Sequence, residues 1–188
     1  MPEPRAVQLT FVFTGRDTAG LFRATRPLLR HRSRNNVFKK LEYVRRFFPE
    51  FGREIIRVGL TRVASGMAIP GGHEIWFNPS QISFHAIAHE FVHLLQGRHG
   101  IPTGERSCDL FSLARDWTLN DTAPYYLSVP RRFIDENGHI DPHHARLIYT
   151  AAKQAIELRQ RGLRNYISYF ERTLAKTDTW SGLVTDRP

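Results

Sequence analysis

The sequence predicts an α+β protein with a small N-terminal β-sheet, accompanying helices and a mainly helical C-terminal part. Strand-forming segments occur near the N-terminus and within residues 55–77, and helical spacing of apolar residues dominates from residue 81 onward. An apolar content of 41%, with 12% aromatic residues, is sufficient for a packed core. At this length a single domain is expected, and its parts are an N-terminal subdomain (1–97), a helical C-terminal subdomain (98–178) and a tail (179–188).

The first predicted elements are one strand and two helices. Residues 7–13 alternate in polarity and are rich in strand formers, so they predict a strand that ends at Gly15. Residues 19–30 have a helical pattern in which Pro27 marks a boundary or a kink. A second helix follows, and Pro49 stops it. Its caps and its apolar face are supplied by Asn35 and Asn36, and by Val37, Leu41, Val44 and Phe48.

The middle of the chain predicts two further strands, over residues 55–63 and 75–77. They are joined through Gly66 and a Pro-Gly-Gly turn at 70–72. The rest of the chain is predominantly helical by pattern. The predicted helices cover residues 81–96, closed by Gly97, residues 103–119, and residues 142–174, capped by Asp141 and broken or kinked at Gly162.

Basic residues are concentrated in the N-terminal third. The formal charge of +9 arises entirely from residues 1–62, which contain 14 basic and 5 acidic side chains. Nine of these basic residues lie between Arg23 and Arg46. Such a segment can contact phosphates, so nucleic acid or another acidic partner is expected there. A solvated, arginine-rich helix face is the alternative explanation.

The composition also bears on the compartment. No apolar run approaches the roughly 20 residues of a membrane helix, so no membrane partner is expected. The N-terminal Met-Pro-Glu-Pro-Arg lacks the layout of a signal peptide. Cys108 is the single cysteine, which excludes an internal disulfide and a cysteine-based zinc cluster. These observations predict a cytoplasmic protein.

The strongest chemical signal is the motif His89-Glu90-Phe91-Val92-His93 within the predicted helix 81–96. Residues four apart share a helix face, so the imidazoles of His89 and His93 can bind one ion. Zinc suits this role, because it accepts nitrogen ligands and keeps a position open for a water molecule whose pKa it lowers to about 7. Glu90 can then act as the general base for that water. Chance occurrence is the alternative, but the helical, apolar context favours a metal site.

A catalytic zinc needs a third protein ligand, and the sequence offers three candidates. His99 follows His89 by ten positions, the offset of H-E-x-x-H-x-x-G-x-x-H, but that pattern needs glycine where this chain has Gln96. Glu105 and Asp109 are four apart at the start of the next helix. Glu105 can therefore bind zinc while Asp109 accepts the other ring N–H of a ligand histidine. Glu105 is favoured, and Asp109 or His99 as the direct ligand remain alternatives.

The strand ending at 75–79, followed by the motif helix, resembles the core of the zincin metallopeptidases. The subsequent Glu105-x-x-x-Asp109 is similar to the gluzincin arrangement. The resemblance covers about residues 73–116 and implies a minimal form of the fold, because Glu105 follows the motif by only twelve positions. The site that it implies consists of zinc held by His89, His93 and Glu105, with Glu90 as catalytic base and Asp109 supporting a histidine.

The resemblance also suggests roles for residues outside the motif. It implies that the strand His73–Phe77 is a sheet edge that holds an extended substrate. For His85, one turn before the motif, and for Cys108, packing roles are favoured. A His or Tyr from the C-terminal part is expected to stabilise the oxyanion. The available side chains are Tyr125, Tyr126, His143, His144 and Tyr149.

Two functions follow from these observations. The first is a zinc metallopeptidase, a hydrolase acting on a peptide or protein substrate. The second is a nucleic-acid-associated protein that uses the basic segment, either with an inactive zincin core or as a SprT-like protease on DNA-bound proteins. SprT-like proteases belong to the zincins and use a third histidine, so that relation is favoured if His99 rather than Glu105 holds the metal.

Overall fold

The structure, a computed structural model, describes residues 13–16 and 20–177. This part of the chain confirms the α+β class, with one five-stranded sheet and six α-helices, none of them long and apolar enough to cross a bilayer. The strands are β1 (Phe13–Arg16), β2 (Phe22–Thr25), β3 (Ile56–Leu60), β4 (Gly66–Ala68) and β5 (Glu74–Phe77). The helices are α1 (Arg26–Arg30), α2 (Arg34–Arg45), α3 (Phe84–Leu95), α4 (Glu105–Leu113), α5 (Pro142–Gln160) and α6 (Tyr166–Lys176). Short 3₁₀ turns cover Pro49–Phe51, Trp117–Leu119 and Arg131–Phe133.

The sheet is mixed, with the strand order β1-β2-β3-β5-β4. β2, β3 and β5 are parallel, whereas β1 and β4 pair antiparallel at the two sides. β5 therefore lies inside the sheet, and the expectation that His73–Phe77 forms the edge is wrong. The edge next to the motif helix is β4, a Gly-Met-Ala segment with no strand pattern of its own, which the pairing with β5 holds extended.

The segment 19–30 contains a strand and a short helix, so the prediction of one helix there is wrong. Phe22 and Ala24 are fully buried because β2 pairs in parallel with β3 and both side chains point to the covered face. Pro27 lies in the first turn of α1. Backbone N–H groups in a first turn have no acceptor within the helix, so the absence of an N–H on proline removes no helical hydrogen bond. β1 continues through Gly15, which therefore does not end the strand, and residues 7–12 of the predicted strand lie outside the described residues.

The other helices overlap their predicted segments but have different ends. α2 begins after Ser33, so the asparagines expected to cap it lie inside its first turn, and it ends before Pro49. α4 stops at Leu113 instead of reaching residue 119. Asp141 caps α5 as predicted, and Gly162, with φ of 100°, separates α5 from α6.

Aromatic packing fixes α3 against the sheet. The ring of Phe91 lies 5.3 Å from that of Phe48 and 5.4 Å from that of Phe51, both edge-on, and 6.3 Å from that of Phe22. These rings belong to a core between the sheet, α2 and α3, and a second core joins α4, α5 and α6. Because α4 contributes to both cores, it is held rigidly beside α3.

Candidate metal centre and cleft

The motif residues lie in the buried helix α3. His89, Glu90 and His93 are 3%, 7% and 8% exposed, respectively. Phe91 and the apolar residues around it occupy the core face, so the two imidazoles point toward α4. Glu90 instead lies against β4. The helix thus presents nitrogen ligands to one neighbour and a carboxylate to another.

Three ligand-type atoms converge between α3 and α4. His89 Nε2 and His93 Nε2 are 3.2 Å apart, and each lies 3.1 Å from Glu105 Oε2. Donors arranged tetrahedrally around zinc at ~2.0–2.1 Å are ~3.3–3.4 Å from one another, so the observed triangle is close to the size that a zinc ion requires. Glu105 is the carboxylate that the structure brings to both histidines.

Hydrogen bonds behind the imidazoles determine which ring nitrogens carry protons. The Asp109 carboxylate can only accept, so the 2.7 Å contact requires His89 Nδ1 to donate. The amide oxygen of Gln96 accepts from His93 Nδ1 at 2.9 Å, because its amide nitrogen donates to two backbone carbonyls. In the neutral imidazoles, both Nε2 atoms therefore direct lone pairs at each other and at Glu105. Three lone pairs at this distance repel unless a cation lies between them, and the donor set fits a metal ion.

Two further groups of buried side chains could hold a metal ion: His89, His93 and Cys108, and His85, His89 and Asp109. In the first group, Cys108 Sγ lies 3.3 Å from His93 Nδ1, the nitrogen that already donates to Gln96. Burial raises the pKa of the Cys108 thiol, which therefore stays neutral and is a poor ligand. In the second group, Asp109 accepts hydrogen bonds from both rings. Neither group presents three free lone pairs.

Asp109 connects the site to its surroundings. Its Oδ1 accepts from His89 and from His85 Nε2, the latter at 3.2 Å, and its Oδ2 accepts from the backbone N–H of Tyr126 at 2.5 Å. Burial by itself would raise the pKa of Asp109, but the hydrogen bonds from His85 and His89 outweigh it and hold the pKa below its usual range. Burial opposes protonation of His89, yet the hydrogen bond to Asp109 raises the pKa of that imidazole. Asp109 thus lies behind a histidine, and the fully buried His85 packs beside it.

Glu90 occupies a tight position beside the edge strand. Burial raises its pKa to about 7, and the negative charges of Glu105 and Asp109 act in the same direction against the attraction of His89. A Cβ added to Gly66 would lie 2.6 Å from Glu90 Oε1, which is far inside van der Waals contact. Glycine at this position allows β4 to approach the carboxylate closely.

An open cleft of about 460 Å³ exposes the site. The motif residues and Glu105 line its floor, residues 64–68 form one wall, and Tyr125 and Tyr126 form the other. The ring of Tyr126 lies over His89 with centroids 5.9 Å apart, and Tyr125 approaches the same imidazole edge-on at 6.1 Å. Burial raises the pKa of both phenols, so their hydroxyls stay protonated at neutral pH and can donate hydrogen bonds.

The structure places His99 away from the cleft. After α3 the chain turns at Gly97, with φ of 75°, and His99 itself has a positive φ of 52°. These turns direct His99 into a different cavity, which it lines together with Ile101 and Phe111. His99 is therefore not brought to the two motif histidines.

The remaining candidates for oxyanion stabilisation lie on α5. His143 and His144 occupy its first turn, where the His144 ring stacks on Phe133 with centroids 4.3 Å apart. Tyr149 packs beneath the ammonium group of Lys153. Of the five side chains available from the sequence, the structure brings Tyr125 and Tyr126 to the cleft.

Two residues that shape the site are not assigned a role in it from the sequence. They are Gln96, and Gly66, which leaves space for Glu90. Gln96 appears in the sequence only as a departure from the glycine of another zinc pattern. The available signal is its position one helical turn after His93, a candidate ligand. For Gly66 there was no local signal, because the close approach depends on how β4 pairs with β5.

Comparisons of the chain with protein-family models, with curated proteins and with solved structures found no match.

Proposed function

We propose that this chain is a zinc-dependent metallopeptidase with a zincin-like fold and a gluzincin-like ligand set. The observation that carries the proposal is the convergence of two imidazole nitrogens and one carboxylate oxygen within 3.2 Å, at the floor of an open cleft. His89, His93 and Glu105 would hold the ion, and Asp109 would orient His89. Two histidines with one glutamate form a ligand set used by catalytic zinc.

Glu90 carries the proton transfers of the proposed hydrolysis. Bound zinc would supply Lewis acidity, which polarises the peptide carbonyl and makes a water molecule more acidic. Glu90 takes a proton from the water molecule as the water oxygen attacks the carbonyl carbon. It then gives that proton to the peptide nitrogen as the C–N bond breaks. Burial raises the pKa of Glu90, which helps its carboxyl group to hold the transferred proton. One peptide bond and one water molecule become a carboxyl group and an amine.

The walls of the cleft support binding of an extended peptide. β4 is the last strand of the described sheet, so its outer backbone groups can pair with a substrate strand. Glu90 lies directly against this edge strand, since Gly66 leaves no side chain between the β4 backbone and the carboxylate. On the opposite wall, the hydroxyls of Tyr125 and Tyr126 are available to stabilise the developing oxyanion.

Metal content and cleavage test the proposal. We expect about one zinc per chain, strongly reduced in His89→Ala and Glu105→Ala but retained in the matched control His99→Ala. Glu90→Gln should retain zinc and abolish cleavage of a library of unstructured peptides analysed by mass spectrometry. A wild-type protein without affinity for zinc, or a Glu90→Gln variant that cleaves at the wild-type rate, contradicts the proposal.

The basic segment 23–46 supports a second candidate function, binding of nucleic acid or another acidic partner. Some of its charges have internal roles, since Arg45 is buried and donates to the Glu54 carbonyl, and Lys40 donates to the Ile82 carbonyl. The SprT-like form of this hypothesis gains no support, because His99 lies away from the site. The exposed basic side chains of the segment are Arg26, Arg30, Arg32, Arg34, Lys39 and Arg46.

Salt-dependent binding to a labelled oligonucleotide tests this second function. Phosphate contacts release counterions, so the affinity should fall steeply as salt is raised. The triple variant Arg26→Gln/Arg30→Gln/Arg32→Gln should bind more weakly with a smaller salt dependence. Absent or salt-independent binding by the wild type excludes this function.

A further inference from the structure

Gln96 is a buried polar residue at the end of α3. Its side chain forms hydrogen bonds with His93 and with the segment that precedes Glu105. It is 6% exposed and serves as the C-cap residue of the helix. Its Oε1 lies 2.9 Å from His93 Nδ1, and its Nε2 donates to the backbone carbonyls of Pro102 and Gly104, both at 3.2 Å. A buried side chain with all of these bonds satisfied has a single orientation.

The two carbonyl acceptors determine which atom of the Gln96 amide faces His93. Both carbonyl oxygens need a hydrogen-bond donor, and only the amide NH₂ group of Gln96 can donate. The amide oxygen of Gln96 must therefore face His93. An amide oxygen accepts, and His93 Nδ1 is therefore the nitrogen that bears hydrogen. The lone pair of Nε2 is left to point at Glu105 Oε2, 3.1 Å away.

The same side chain reaches the segment that presents the carboxylate ligand. Gly104 immediately precedes Glu105, is the N-cap residue of α4 and has φ of 100°. Its carbonyl also accepts from the N–H groups of Ser107 and Cys108 in the first turn of α4. Gln96 thus connects the last turn of one ligand-bearing helix to the first turn of the other, across residues 97–104.

We propose that Gln96 is a positioning residue that sets two of the three metal ligands at once, an inference that rests on the proposed function. Its amide oxygen holds the His93 ring with Nε2 directed at the ion, and its amide nitrogen fixes the backbone from which Glu105 projects. Partners of this kind that hold metal ligands are worth ~10–100-fold in metal affinity.

Zinc affinity measured by competition with a chromophoric chelator tests the inference. Gln96→Met has similar side-chain length but makes none of the three hydrogen bonds, and we expect its zinc affinity to fall ~10–100-fold. Arg98→Met is the matched control, because Arg98 also holds this helix end by donating to the carbonyls of Leu94 and Gly71, but it makes no hydrogen bond to a proposed metal ligand. The affinity of Arg98→Met should equal that of the wild type. Equal affinity in Gln96→Met, or an equal loss in Arg98→Met, overturns the inference.

A second measurement uses the unaltered chain and so does not depend on the folding of a variant. Long-range nitrogen–proton NMR correlations distinguish the protonated nitrogen of a neutral imidazole. In the zinc-free protein we expect His93 Nδ1 to carry a proton, because it faces the Gln96 amide oxygen. A His93 ring whose Nδ1 carries no proton overturns the inference. Failure of the wild type to bind zinc would instead overturn the proposed function.

Discussion

Adding one methyl group at Gly66 perturbs the proposed base without changing any metal ligand. Gly66 does not have a positive φ, so the backbone of β4 accommodates alanine. The new Cβ would lie 2.6 Å from Glu90 Oε1 and 2.9 Å from its Cδ. Ordinary van der Waals contact begins near ~3.4 Å, so the carboxylate must move by about 0.8 Å. Glu90 would then no longer occupy the position from which it is proposed to take a proton from water.

The size of that displacement sets the expected loss of activity. A misplacement of ~1 Å in a catalytic arrangement costs on the order of 10²-fold in rate. For Gly66→Ala we therefore expect kcat to fall ~10–100-fold, equivalent to about 1.4–2.8 kcal/mol of transition-state stabilisation. Zinc affinity should be unchanged, because Glu90 is not one of the proposed ligands.

The assay compares steady-state kinetics of Gly66→Ala with those of Gly72→Ala on a peptide that the wild type cleaves. Gly72 lies in the loop between β4 and β5, and a Cβ there meets Ile69 at 3.0 Å instead of a residue of the site. Gly72→Ala should keep the wild-type kcat, although its added methyl group is also crowded and can lower the stability of the fold. A wild-type kcat in Gly66→Ala, or an equal loss in both variants, would refute the placement of Glu90 as the base.

Three other predictions concern the surroundings of the site and the fold. Asp109→Asn should lower zinc affinity ~10–100-fold in chelator competition, because the carboxylate that orients His89 is lost; unchanged affinity would contradict that role. Asp141→Ala should lower the free energy of unfolding in urea by ~1 kcal/mol at neutral pH. Because hydrogen bonds from His144 lower the pKa of Asp141, this difference should be present above the unfolded-state pKa and disappear as the pH falls through the folded-state value. A difference that persists in strong acid would contradict it. Phe91→Ala should cost ~3–5 kcal/mol in the same urea assay, and a cost below ~1 kcal/mol would contradict the central packing of that ring.

The elements that the sequence predicts correctly are those whose pattern is long and local. α3 and α5 contain several turns of apolar residues at helical spacing, and Asp141 followed by proline marks the start of α5. β3 and β5 contain strand-forming residues, and burial alternates along β5 and over the first three residues of β3. In each case the residues of the segment itself carry the information.

The strands that the sequence does not predict depend on their neighbours. β2 contains arginine and alanine, which favour helix locally, yet it is extended because it pairs with β3. β4 has three residues, and pairing with β5 places it at the edge. This second difference matters for the site, because the cleft wall is β4 and not the strand that precedes the motif helix.

The sequence by itself determined the pair of imidazoles and the adjacent carboxylate proposed as the base, because helix geometry is local and places His89 and His93 on one face. Only the tertiary structure decided which third residue meets them. That choice depends on the path of residues 97–104, where several positive φ angles carry His99 away and bring Glu105 back. Contacts across the loop, above all those of Gln96, hold this path. No local pattern encodes contacts between segments that meet only after folding.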